Sequence, residues 1–227
     1  MSIWTRISDA LSALAQGEGL AAVFEHLRSP RERSVAFTIA VIALGAKMAK
    51  ADGQVTRDEV AAFRTVFTIA PEEEANAARV FNLARQDVAG FDAYARKIAA
   101  MFGPGDRVLI DVTEGLFHIA VANGEFHETE EQFLREVAAI FGLGETCFRS
   151  LRSRFVANDP HDPYDILGVR PDTPLADIRK VWRQAVKESH PDGMEARGLP
   201  AEAIRLAEDR LRDVNRAWEA INGKKAA

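Results

Sequence analysis

Arg179, Arg183 and Lys187 recur at steps of four, with Lys180 beside them, and the stripe they form leads into His190-Pro191-Asp192. Cations one turn apart on a helix repel one another mildly, and no acid shares the stripe to relieve them. Such a face suits an acidic partner, where charge complementarity raises the association rate. The alternative for His190 and Asp192 is that they merely cap a turn between helices. Two other groups carry residue types that can do chemistry. Asp52, Glu59 and Glu125 stand among acidic residues beside two turns and could gather a hard cation through carboxylate oxygens. Neither turn has the alternating carboxylates of an EF-hand, and helix capping accounts for Glu59 without a metal. Asp111, Glu114 and His118 share a helical face and could form a carboxylate–histidine site if a second helix supplied ligands. The same spacing suits a solvated face with an internal salt bridge. No nucleophile is matched to a base, and there is neither a Gly-rich phosphate loop nor a Cys/His zinc spacing, so the chain is not read as an enzyme.

The docking stripe needs a helix to carry it. Ile178, Val181, Trp182, Ala185 and Val186 recur at steps of three and four and make an apolar stripe on another side of the same segment. Pro191 cannot continue that helix and disfavours helical geometry at His190, so the helix is predicted to stop near Ser189 and to present His190 and Asp192 in a loop. Upstream, Asp162 reads as an N-cap, Pro163 as a first helical residue and Gly168 as a stop. Downstream, Ile204, Ala207, Leu211, Val214, Trp218 and Ile221 form the seam of a second long helix. Two such helices joined by a short connection lie antiparallel, seam to seam.

These residues resemble the J domain of the DnaJ (Hsp40) co-chaperones. The family pattern is met by Tyr164 to Val169, Ile178 to Arg183, His190 to Asp192, and Ala217 to Ile221. The resemblance implies docking on an Hsp70 of the DnaK type and acceleration of its ATP hydrolysis. It implies His190, Pro191, Asp192, Arg179, Lys180, Arg183 and Lys187 as the contact set. Trp182 and Trp218 stand where the family usually has Tyr. Glu188 and Ser189 stand where a basic or aromatic residue is common, and Gly193 where Lys is common.

The rest of the chain reads as all-α. Helical periodicity runs from Ile3 to Leu27, with Trp4, Ile7, Leu11 and Leu14 on one face, expected to pack on the protein rather than on a membrane surface. Ser29-Pro30-Arg31-Glu32 is a capping box opening a helix to about Ala51. Asp52-Gly53 and a second capping box, Thr56 to Glu59, come next; Pro71, Phe91 and Asp106 begin further helices, and Thr129-Glu130-Glu131-Gln132 caps another. A long helix, an Asx-Gly turn and a capped helix thus recur about 70 positions apart, a sign of internal pseudo-symmetry. The layout resembles the TerB-like (tellurite-resistance B) helical domain. The expected organisation is an N-terminal helical segment over 1–30, a TerB-like bundle over 31–156, a linker over 157–161, a J-domain hairpin over 162–222 and a tail over 223–227. This order resembles the DjlA-type co-chaperones, which usually carry an N-terminal membrane segment; no apolar run here approaches the roughly 20 residues a span needs.

Charge and cysteine content narrow the classes. The net charge is -5. Residues 160 to 227 hold 12 Lys+Arg against 12 Asp+Glu, so the excess acid lies entirely in the N-terminal part, and a nucleic-acid partner is not expected. Cys147, alone, allows no internal disulfide and fits a reducing cytoplasm. The expectation is a cytoplasmic J-domain co-chaperone whose bundle chooses an unknown client or partner and could form a homodimer, with no cofactor beyond a possible divalent metal at the bundle. The second reading is a TerB-like metal-binding or stress-response module with the J domain as a tether.

Overall fold

A computed structural model describes residues 3–12, 23, 27, 32–51, 66, 67, 69, 71–86, 90–122, 124–156, 162–200 and 204–226, and the helices are numbered among these. Helix α1 spans Ile3–Ser12, α2 Arg33–Ala51, α3 Glu74–Gln86 (preceded by a 3-10 turn, Pro71–Glu73), α4 Phe91–Phe102, α5 Arg107–Ala120, α6 Glu128–Ile140 and α7 Glu145–Phe155. The C-terminal part adds α8 Pro163–Ile166, α9 Leu175–Ser189, α10 Pro191–Arg197 and α11 Ile204–Ala226. No strand occurs among the described residues, so the all-α expectation holds. The Ser29 and Thr56 capping boxes and the 157–161 linker lie outside the described residues.

Helix α2 is the axis of the bundle. From Val35 to Met48 every residue is buried, because the segment is apolar all round and can only be stable with neighbours on every side. Helices α1, α3, α4, α5 and α6 supply those neighbours. Where α5 crosses α2, a Cβ on Gly115 would lie 3.3 Å from both Val41 methyl groups, so the bare glycine sets how closely the two backbones approach. Of the N-terminal stripe, Trp4 and Ile7 pack inward as expected, with Ile3 buried beside them, while the Leu11 and Leu14 side chains lie outside the described residues; the Trp4 ring meets Phe67 edge-on with centroids 6.2 Å apart.

Local rules place most ends. Asp106 caps α5 by accepting from the Val108 N–H at 2.9 Å, and Asp162 does the same for Tyr164 at 2.9 Å. One cap differs: α6 begins two residues before Thr129's expected first turn, with His127 as its N-cap, because the Glu130 carboxylate reaches back to the His127 N–H at 2.9 Å.

The J-region core is small. Leu167, Ile178, Val214, Ala217 and Ile221 are buried between α8, α9 and α11, with Trp182 and Trp218 stacked at 5.0 Å as a half-buried lid. Trp182 Nε1 donates to Asn215 at 3.0 Å. This core does not stand apart. Met194 and Leu199, with Leu206 and Ala207 at the start of α11, are buried in the bundle's own core, so α10 and α11 lean directly on the bundle.

Candidate functional site

The structure confirms the helix stop at Ser189 but corrects the geometry beyond it. His190 is at once the C-cap of α9 and the N-cap of α10, so Asp192 opens a short helix instead of lying in a loop. The cause is Pro191: barred from a helix interior, it is favoured at the first helical position, and one residue both ends α9 and starts α10. The Asp192 N–H points to His190 Nδ1 at 3.3 Å. Both side chains remain open, His190 at 59% and Asp192 at 90% exposure.

Helix α9 divides its sides three ways. Ile178 is buried and Trp182 and Val186 pack towards α11. Arg179, Arg183 and Lys187 are exposed, and no carboxylate among the described residues pairs with them. Lys180 stands on the neighbouring stripe, paired with Asp177 at 2.8 Å, and with Gln184 and Glu188 it lines a cavity of about 720 Å³ between α9 and helices α5 and α7. Cys147 lines the same cavity; burial pushes its thiol up from the ordinary value.

The Asp111–Glu114–His118 face is neither a metal site nor a solvated stripe. Asp111 and Glu114 are fully buried, 0% exposed, where α5 meets the J region, and they are neutralised by arginines from three other helices. Arg210 of α11 reaches Asp111 Oδ1 at 2.5 Å and also contacts Glu114 Oε2. Arg154 of α7 reaches Glu114 Oε1 at 2.5 Å and Asp213 at 3.2 Å. Arg197 of α10 donates to Asp111 Oδ2 through both Nε and Nη2 at 3.3 Å. A fourth arginine, Arg107 of α5, pairs with Glu188 of α9 at 2.6 Å. Desolvation lowers the Arg154 and Arg107 pKa values, and the nearby carboxylates oppose the drop. His118 makes no hydrogen bond to this network among the described residues: burial depresses it to about 4, with Asp209 opposing and Arg154 adding to the drop, its Nε2 has no partner among the described residues, and its ring meets Phe155 edge-on at 4.6 Å.

Arg107, Arg154, Arg197 and Arg210 are not among the sequence-derived candidates. One signal does exist. Asp111 and Glu114 are flanked on α5 by Val108, Leu109, Val112, Leu116 and Phe117, and a helix apolar on that many sides buries its acids, which must then be paired. Of the cation candidates, Asp52 and Glu59 lie outside the described residues, and Glu125 is exposed with His127 Nε2 3.6 Å away. Among the described residues no group of three or more His, Cys, Asp or Glu is placed to hold a metal ion. No helix of the described residues is long and apolar enough to cross a membrane.

Comparison with known proteins matches the two halves separately. Residues 38–153, just over half of the chain, match the family described as "Tellurite resistance protein TerB", and residues 162–226 match the "DnaJ domain" family. Among curated relatives, the co-chaperone protein DjlA of Photobacterium profundum is 24% identical over 238 residues, covering 92% of this chain and 85% of its own length. The proteins of the same name from Aliivibrio fischeri and Vibrio cholerae are 24% and 23% identical, each covering 87% of this chain and 81% of their own. No solved structure matches.

Proposed function

Because the chain belongs to the TerB family and carries a DnaJ domain behind its TerB region, we propose that it docks on an Hsp70 of the DnaK type and accelerates that partner's ATP hydrolysis. It is a J-domain co-chaperone. The observation that carries the finer reading is the pairing of an exposed His190 and Asp192 with the Arg179, Arg183 and Lys187 stripe, which has no acid of its own among the described residues. Three unneutralised cations on one helix favour an acidic counter-surface and speed its capture. His190 and Asp192 then offer the hydrogen-bonding groups at the end of that stripe. Lys180, paired with Asp177, contributes to the rim. The bundle, which holds most of the chain's excess acid, chooses the client or partner in this reading.

Single-turnover ATP hydrolysis by a DnaK-type Hsp70 tests it, with the intact chain and with His190→Gln. Acceleration by the first and none by the second is the expected result. Equal inertness of both folded proteins would overturn the docking role, and a His190→Gln chain that unfolds would move His190 into the scaffold.

A further inference from the structure

Both flanks of the His190-Pro191-Asp192 segment are tied to one side of helix α5, in the bundle. Glu188, two residues before His190, is held by Arg107 at 2.6 Å. Gly193, immediately after Asp192, gives its carbonyl to Arg197 Nη1 at 3.0 Å, and the same guanidinium is held by Asp111 through Nε and Nη2 at 3.3 Å. Arg107 and Asp111 are four residues apart, so they project from successive turns of one helical face. Between the two ties Met194 is buried in the bundle's core, and Ser189 is buried with its hydroxyl on the Ala185 carbonyl at 2.7 Å. At the far end of α10, Gly198 has φ +98, and a Cβ there would come within 2.6 Å of Arg33 Cβ. The backbone of the segment is therefore fastened from beneath while the His190 and Asp192 side chains project into solvent.

We infer that Arg107 and Asp111 of the bundle are positioning residues for Hsp70 docking, setting the conformation of the His190–Asp192 segment through Glu188 and through the Arg197–Gly193 tie. The inference rests on the docking function proposed above. It also gives two of the residues that depart from the J-domain pattern, Glu188 and Ser189, a reason for their type. Glu188 accepts the bundle's arginine where a basic residue would repel it, and Ser189 fits a fully enclosed position. A segment held in its docking conformation loses less entropy on binding, so loosening it should weaken capture while leaving the bound complex as active as before.

The experiment uses the full chain as Arg107→Glu, Glu188→Arg, the double exchange of the two, and Arg197→Gln, each verified as folded by circular dichroism. Hydrolysis by the Hsp70 is followed against chain concentration, so that the half-saturating concentration and the plateau rate are read separately. Amide exchange over residues 187–198 is measured on the same proteins without Hsp70. Arg107→Glu, Glu188→Arg and Arg197→Gln should each speed exchange across the segment. Each should raise the half-saturating concentration roughly two- to fivefold, the scale of one partly exposed ion pair, with the plateau kept. The double exchange should restore both readings towards wild type, a recovery that a general loss of stability would not show. Unchanged exchange in the three single variants, or faster exchange with an unchanged half-saturating concentration, would overturn the inference. A wild-type chain that does not stimulate at all overturns the proposed function and the docking consequence with it, while amide exchange alone still decides whether α5 holds the segment.

Discussion

The bundle and the J region solve the problem of burial in different ways. The bundle surrounds an apolar helix, α2, with five others and buries rings as large as Trp4, Phe37, Phe67, Tyr94 and Phe117. The J region buries five residues of its own, none larger than Leu or Ile, and covers them with two half-exposed tryptophans. A unit of that size buries too small a fraction of its surface to be more than marginally stable alone. It makes up the difference at the seam, with Met194, Leu199, Leu206 and Ala207 in the bundle's core and arginines around Asp111 and Glu114. The exposed docking groups thus sit on the less self-sufficient half, stiffened by the other.

The sharpest way to break this comparison is to remove a buried charge at the seam. Glu114→Ala leaves Arg154 and Arg210 short of a partner in an enclosed place and should cost about 3–5 kcal/mol, read by urea unfolding of the full chain. A cost under about 1 kcal/mol would mean that apolar contact alone holds the halves together. Among the described residues the network is not fully satisfied, since Arg210 Nη1 and Arg107 Nε lack partners there. Replacing Asp111, Glu114, Arg154, Arg197 and Arg210 together with apolar residues, so that no charge is left behind, is therefore expected to cost less than Glu114→Ala alone.

Trp182→Ala addresses the small core by itself. It removes a stacked ring and the hydrogen bond to Asn215, and should cost roughly 2–4 kcal/mol. Amide exchange should rise in α8, α9 and α11 while α2 and α5 stay protected; equal loss in both halves would show that the two cores melt as one.

A smaller effect comes from pH. Above its ordinary value of 6.5 the His118 imidazole is neutral whether the chain is folded or not. As pH falls, the unfolded chain takes up a proton that the folded chain refuses until about 4, so stability is lost across the window from 6.5 to about 4. The full loss is about 3 kcal/mol, and His118→Gln should flatten that part of the curve in thermal melts from pH 7 to pH 4. If the slope persists in the variant, other titrations at the seam own it.

The smallest stability change is expected where function is expected to be largest. His190→Gln should shift unfolding by less than about 0.5 kcal/mol, because the side chain is exposed and its contacts are with exposed Asp192, the N–H at 3.3 Å and the carboxylate at 3.6 Å. A larger shift in urea unfolding would place His190 in the structure of the α9–α10 junction.

The two halves also differ in how far they can be read from sequence. The J-region helices are legible to within a residue or two because their signals are local: Asp162 before Pro163, Gly168 at φ +65, and Pro191 after Ser189. The second helix start at Pro191 is not legible, since the same proline that forbids one helix permits the next, and Met194 and Arg197 find their reason to be helical only on the bundle. The α6 cap lies two residues from the Thr129 signal because several acids compete to reach back, and only geometry shows that Glu130 does so.

Taken alone, the sequence determined the all-helical class, the order of the two halves, the basic stripe and the exposed histidine and aspartate beside Pro191. Each of these is set by neighbours within one or two turns. Only the tertiary structure decided that Asp111 and Glu114 are enclosed, that Arg154, Arg197 and Arg210 neutralise them, and that the docking segment is fastened to α5. Those partners lie 40, 86, 96 and 99 positions apart along the chain. A helix's periodicity says which residues share a face, but which distant face it meets, and so which charge must be answered there, is settled only by packing.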